Sequence, residues 1–174
     1  MKRFSEEGVY LSLKKWLPQK VSNKAFWVVV LALIVSDQLT KWIVQQQMNL
    51  HDTIPLIPNI FHITYILNPG AAFGLMAYQK SFFIVVTLIV LLAILYFYRK
   101  IPPEQSSFRL GLAFQGGGAT GNLIDRVKEG YVVDFIDFRI WPVFNIADIA
   151  ITLGVILLIY SIVTMPEEDE KIFK

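Results

Sequence analysis

The sequence predicts an all-α membrane protein with four transmembrane helices. Composition points there first: of 174 residues, 55% are hydrophobic and only 17% charged, with a mean hydropathy of +0.51. Soluble domains usually carry about a quarter charged residues. Second, four apolar stretches come close to the roughly 20 residues a helix needs to cross a hydrocarbon core of about 30 Å. Third, Lys and Arg cluster near alternate ends of those stretches, as they do in multi-pass chains.

The first span is 25–44, "AFWVVVLALIVSDQLTKWIV", and the second is 81–98, "SFFIVVTLIVLLAILYFY", which has no charge. The third, 108–124, "FRLGLAFQGGGATGNLI", is weaker because it is rich in glycine and holds Gln115 and Asn122. Small residues let helix backbones approach closely, so low hydropathy here fits a well-packed inner helix. The fourth is 145–165. The basic segment before the first span would suit a secretory signal, but "SDQLTK" follows where small cleavage-site residues would be needed, so the segment reads as an uncleaved span.

Lys2, Arg3, Lys14, Lys15, Lys20 and Lys24 precede the first span, and Arg99, Lys100 and Arg109 flank the loop "RKIPPEQSS". This distribution predicts cytoplasmic tails at 1–24 and 166–174 around one peptide-chain domain, 25–165. Segments at about 45–80 and 125–144 then fall outside. The tail stretch "VYLSLKKWLPQK" mixes Lys with Trp, Leu and Tyr; it fits a surface-lying segment and a solvated tail equally well.

Several chemistries are excluded. Without Cys there is no disulfide, thiolate metal site or catalytic thiol. His51 and His62 are eleven apart and form no zinc-binding pattern. No Ser lies in a G-x-S-x-G turn. "GGGATG" lacks the Lys-Ser or Lys-Thr of a phosphate loop, so its glycines read as helix packing. No metal, cofactor or nucleic acid is expected.

The carboxylates are more informative. A charge at a membrane helix centre costs about 2.5–3.5 kcal/mol on insertion scales, yet Asp148 sits just inside the fourth span. One reading makes it part of a helix start, with Asn145 as N-cap and Asp148 three residues on. The other has it face a second carboxylate, for which Asp125, Asp134 and Asp137 are all near enough in sequence. Spacing does not choose among them. "GYVVDFIDF" is β-branched and aromatic, compatible with a short strand. Two close aspartates would share one proton, letting one activate water while the other donates. Asp37 and Lys41 stand at i and i+4 in the favourable order and read as a self-neutralising pair supporting the site.

Four stretches together resemble the lipoprotein signal peptidases, or signal peptidase II: "SDQLTK" at 36–41, "NPGAAFG" at 68–74, "GGATGNLIDR" at 117–126 with "VVDF" at 132–135, and "FNIAD" at 144–148. The resemblance spans 27–164 and says nothing of the preceding tail. It implies a catalytic dyad of Asp134 and Asp148, with Asn68, Asn122, Arg126 and Asn145 around it and Asp125 in support. Asp137 falls outside the matched stretch. It further implies that the first outer segment forms a small β-cradle with a short helix or loop over the site; "FHITYIL" at 61–67 is compatible. The implied activity is aspartic endopeptidase cleavage of a prolipoprotein before a diacylglyceryl-modified cysteine. The implied setting is the bacterial inner membrane, with both termini cytoplasmic and the site near the outer face. The implied inhibitor is globomycin, and a monomer in contact with membrane lipid is expected. The alternative from another class is a small proton- or ion-coupled carrier, whose acids would sit near the midplane.

Overall fold

The structure is a computed structural model and describes residues 17–70 and 79–164. Most of the N-terminal tail, most of "NPGAAFG" with part of the expected covering loop, and the tail from Met165 lie outside the described residues.

Among the described residues seven elements follow in order: α1 (Asn23–Gln47), β1 (Thr53–Ile57), β2 (Phe61–Asn68), α2 (Lys80–Lys100), α3 (Ser106–Lys128), β3 (Val132–Asp137) and α4 (Ile146–Val163). Among the described residues the chain is mostly helical, and α1, α2 and α4 are long and apolar enough to cross a membrane. The helix α3 falls short of that standard, because glycines and polar residues dilute its apolar content. It is nevertheless the inner helix: twelve of its residues are buried, against one in α2.

The glycines explain how α3 becomes the shared packing partner of α1, α2 and α4. A Cβ on Gly118 would lie 2.5 Å from the main-chain oxygen of Ala147, and one on Gly117 would lie 2.8 Å from Leu33 Cβ. Two neighbouring helices therefore press directly on the α3 backbone, a contact that any side chain would prevent.

The strands form one antiparallel sheet in the order β1-β2-β3. Two strands come from the first outer segment, where the resemblance implies the cradle, and the third is the strand expected within "GYVVDFIDF" of the second. The register pairs Thr53 with Thr64, Ile63 with Ile136 and Asn68 with Val132. Backbone pairing of β2 with β3 is thus what carries Asn68 to the neighbourhood of Asp134. All six residues of β3 are buried, whereas those of β1 are exposed.

Two apolar clusters hold the ends. Val21, Phe26, Val30, Ile94, Ile101 and Phe108 close one end of the helices. Val44, Met48, Phe135 and Ile136, with Phe61, Ile63, Phe144 and Ile146 against them, weld the sheet to the other end. Asp37, Lys41, Asn122, Asp125, Asp134 and Asn145 are buried polar residues, so each must find a partner within the protein.

Candidate active site

The start of α4 supplies the first carboxylate. Asn145 is extended (φ −133°) and caps the helix. Its Oδ1 accepts from the Asp148 N–H at 2.9 Å, and Asp148 Oδ2 accepts from the Asn145 N–H at 3.2 Å. This is a capping box, so the helix-start reading of Asp148 holds. It does not compete with a role in a site, because Asp148 Oδ1 also accepts from Asn122 Nδ2 at 2.8 Å and Asp148 lines a cavity of 480 Å³.

Of the three carboxylates that spacing left open, Asp134 is the one that lines the same cavity. Its Oδ1 accepts from Asn145 Nδ2 at 2.6 Å and its Oδ2 from Asn68 Nδ2 at 2.9 Å. Asp125 is engaged elsewhere: it accepts from Gln38 Nε2 at 2.8 Å and from the Val133 N–H at 3.2 Å, and it lies 2.8 Å from Lys41 Nζ. Asp137 accepts from Thr64 Oγ1 at 2.7 Å and pairs with Arg139 at 3.0 Å. Although burial pushes the Asp137 carboxyl up, those hydrogen bonds outweigh it and hold it below its usual range.

Asp134 behaves oppositely. Burial, and next the negative charge of Asp148, push its carboxyl up to about 7; the hydrogen bonds from Asn68 and Asn145 offset only part of this. A buried carboxyl beside another acid, in a cavity, is the arrangement in which a pair retains one proton near neutrality.

The Asp37–Lys41 pair forms as its spacing predicts, but Lys41 is shared with two further partners. Lys41 Nζ lies 2.8 Å from Asp37 Oδ2 and 2.8 Å from Asp125 Oδ2, and donates to Asn122 Oδ1 at 3.0 Å. An ammonium has three donors and no acceptor, and here every donor has an oxygen. This orients the Asn122 amide, because its oxygen must face Lys41 and its Nδ2 then faces Asp148. Asp37 Oδ1 meanwhile accepts from the Ala147 N–H at 2.9 Å, tying α1 to the first turn of α4.

The predicted residues thus fall in two layers. Asn68, Asn122, Arg126, Asp134 and Asp148 line the cavity, and Asn145, Asp125, Asp37 and Lys41 stand behind it. Arg126 donates to the Gly70 oxygen at 3.2 Å and lies over the Phe83 ring at 4.8 Å. Sequence reasoning missed Gln38, which donates to Asp125 and, at 3.2 Å, to the Gly121 oxygen. Its signal was present, a third polar side chain beside Asp37 inside an apolar span. Gln115, Thr87 and Trp141 also line the cavity and carried no signal of that role.

With this geometry in view, the family profile of signal peptidase (SPase) II matches residues 29–164. The chain belongs to the signal peptidase II family. The lipoprotein signal peptidase of Moorella thermoacetica is 48% identical over 137 residues, covering 79% of this chain and 91% of that protein. That of Pelotomaculum thermopropionicum is 44% identical over 145 residues, covering 83% and 95%. A solved bacterial membrane enzyme, determined by the in meso method, superposes with a TM-score of 0.79 at 36% identity, covering 83% of this chain and 91% of that one. Family membership makes the chain a protease and leaves the carrier reading without support.

Proposed function

We propose that this lipoprotein signal peptidase removes the signal peptide from prolipoproteins with Asp134 and Asp148 as its catalytic pair. The observation that carries the assignment is that both carboxylates line one cavity and both accept from Asn145, Asp134 from its side-chain amide and Asp148 from its main-chain N–H, while Asp125 and Asp137 are held by Lys41 and by Thr64 and Arg139.

Chemically, a water molecule between the pair gives a proton to the ionised carboxylate as its oxygen attacks the scissile carbonyl carbon. The protonated carboxyl donates to the carbonyl oxygen, and the tetrahedral intermediate collapses with a proton passing to the leaving nitrogen. Asn68, Asn122 and Asn145 keep the carboxylates in place, so little reorganisation accompanies the charge shift. Arg126 offers a guanidinium at the cavity wall for a substrate carbonyl.

The bond cleaved is the one before a diacylglyceryl-modified cysteine. Val86, Val90 and Ile151 give the cavity an apolar part of its lining, as acyl chains require, and each buried CH₂ contributes about 0.8 kcal/mol. In this reading α3, the third span in chain order, also crosses the membrane, which brings the number of spans to four. The N-terminal end of α1 meets the α2–α3 loop, where the Val21 N–H donates to the Pro103 oxygen at 2.8 Å. Both belong to the basic, cytoplasmic side of the bacterial inner membrane, which puts the sheet and the cavity at the outer face. The enzyme works as a monomer in lipid and without a cofactor.

The test is incubation of the purified protein with a lipid-modified prolipoprotein, an unlipidated copy, and globomycin. Release of the signal peptide from the lipidated form alone, blocked by globomycin, is expected. Equal, globomycin-insensitive cleavage of both substrates would overturn the substrate assignment.

A further inference from the structure

The loop from β3 to α4 ends in an apolar tip that the reaction does not use. Arg139 adopts a left-handed backbone (φ 66°) and turns its guanidinium back onto Asp137 at 3.0 Å. The residues after it point outward: Ile140 is 93% exposed and Trp141 61%. Phe138 ties the tip to the fold by stacking on Phe61 and Phe144, with centroids 5.0 and 6.0 Å apart.

The tip has a defined level. It lies just before Asn145, the cap of a helix long and apolar enough to cross a membrane, whose residues Ile149, Leu153 and Ile156 are exposed. It therefore lies beyond the end of a helix with an exposed apolar surface, where a membrane-crossing chain enters the interfacial layer. Tryptophan is enriched at that depth because its ring is apolar and its N–H is polar. The tip has another property: Trp141, with Pro142 and Val143, also lines the catalytic cavity.

We infer that Ile140 and Trp141 insert into the membrane interface and fix the height of the cavity rim relative to the lipid. A second copy of the chain is a poorer occupant, since a stable interface buries roughly 800 Å² per partner and the tip offers two protruding side chains. The inference rests on the proposed function only for the choice of the outer leaflet.

Fluorescence in lipid vesicles tests it without substrate, so its failure and a failure of the proposed activity are distinguishable. The chain has four tryptophans; replacing Trp16, Trp27 and Trp42 by Phe leaves Trp141 as the reporter. A second reporter carries Ile140→Trp with all four tryptophans replaced by Phe, because Ile140 does not line the cavity. Both should be quenched by lipids brominated on the upper acyl chain and protected from aqueous iodide. Quenching by iodide with no response to brominated lipid would overturn the inference, as would protection of Ile140→Trp that appears only at high protein density. In vesicles, Ile140→Asp should raise KM for lipidated substrate several-fold with kcat unchanged; an unchanged KM would remove the role in setting height.

Discussion

Asn145 and Asp134 are joined by a hydrogen bond of 2.6 Å, from the side-chain amide of one to the carboxylate of the other. The same Asn145 side chain caps α4 through its oxygen. One residue thus performs two separable tasks, and substitutions can divide them. Asn145→Ala loses both, costing about 1 kcal/mol of stability from the cap as well as activity. Asn145→Ser keeps a capping oxygen but has no amide to give Asp134. It should lose less stability than the alanine variant, because the cap is kept and only the acceptors of the buried amide are left unpaired, and it should cleave poorly. A serine variant of full activity would show that the amide contact is dispensable.

The three neighbouring aspartates should respond differently to loss of charge. Asp134→Asn and Asp148→Asn are each expected to abolish cleavage in protein that still inserts and folds. Asp137→Asn should keep substantial activity, because its carboxylate is turned to Thr64 and Arg139. Assaying the three variants at matched membrane levels checks this. An inactive Asp137→Asn beside an active Asp134→Asn would reverse the assignment.

The pH dependence follows from Asp134, whose carboxyl is pushed up to about 7 by burial and by Asp148. Below that pH the pair holds its shared proton; as pH rises through it the pair becomes dianionic. Cleavage should therefore decline on the alkaline side of pH about 7. The linkage sign agrees: the folded chain binds this proton more tightly than the unfolded chain, so stability falls as pH rises from the ordinary carboxylate range, near 4. Carboxyl NMR of Asp134 should show a lower titration point in Asp148→Asn. An unshifted titration would mean that the two do not interact.

Lys41 stands between two buried carboxylates, so its removal leaves them without compensation. Lys41→Met is expected to destabilise by about 3–5 kcal/mol, read by thermal unfolding in detergent. Replacing Asp37 and Asp125 by Asn in the same chain should restore part of the loss, since the uncompensated charges go with them. If Lys41→Met alone unfolds like the parent, the cluster is not structurally important. Asn122 would keep the hydrogen bond that Asn145 Nδ2 gives its oxygen at 3.1 Å, so its hold on Asp148 should loosen only in part.

The helix contacts make a graded test of packing. A methyl group on Gly118 meets the Ala147 oxygen and Ile151, whereas one on Gly116 has its nearest neighbour, Ile94 Cγ2, at 3.7 Å. Gly118→Ala should cost about 1–3 kcal/mol through overpacking and move the start of α4. Gly116→Ala should be close to neutral. Equal effects in thermal unfolding would argue against direct contact of α4 with the α3 backbone.

The amino-acid sequence determined the apolar helices, because long uncharged runs have few other stable states, and it determined the helix start at Asn145, because N-cap and N3 are local neighbours. It also carried the family pattern from which Asp134 and Asp148 were expected. On spacing alone Asp125, Asp134 and Asp137 stayed equivalent. Tertiary structure distinguishes their surroundings: strand pairing brings Asn68 to Asp134, and α3 holds Asp125 against Lys41. The three-acceptor environment of Lys41 was equally invisible. Apolar periodicity is a property of adjacent turns and can be read along the chain. The partners of a buried polar group are not: Lys41 and Asn122 are 81 residues apart, and Asp37 and Ala147 are 110 apart, so only the close packing of helices on a glycine-lined backbone brings them within reach.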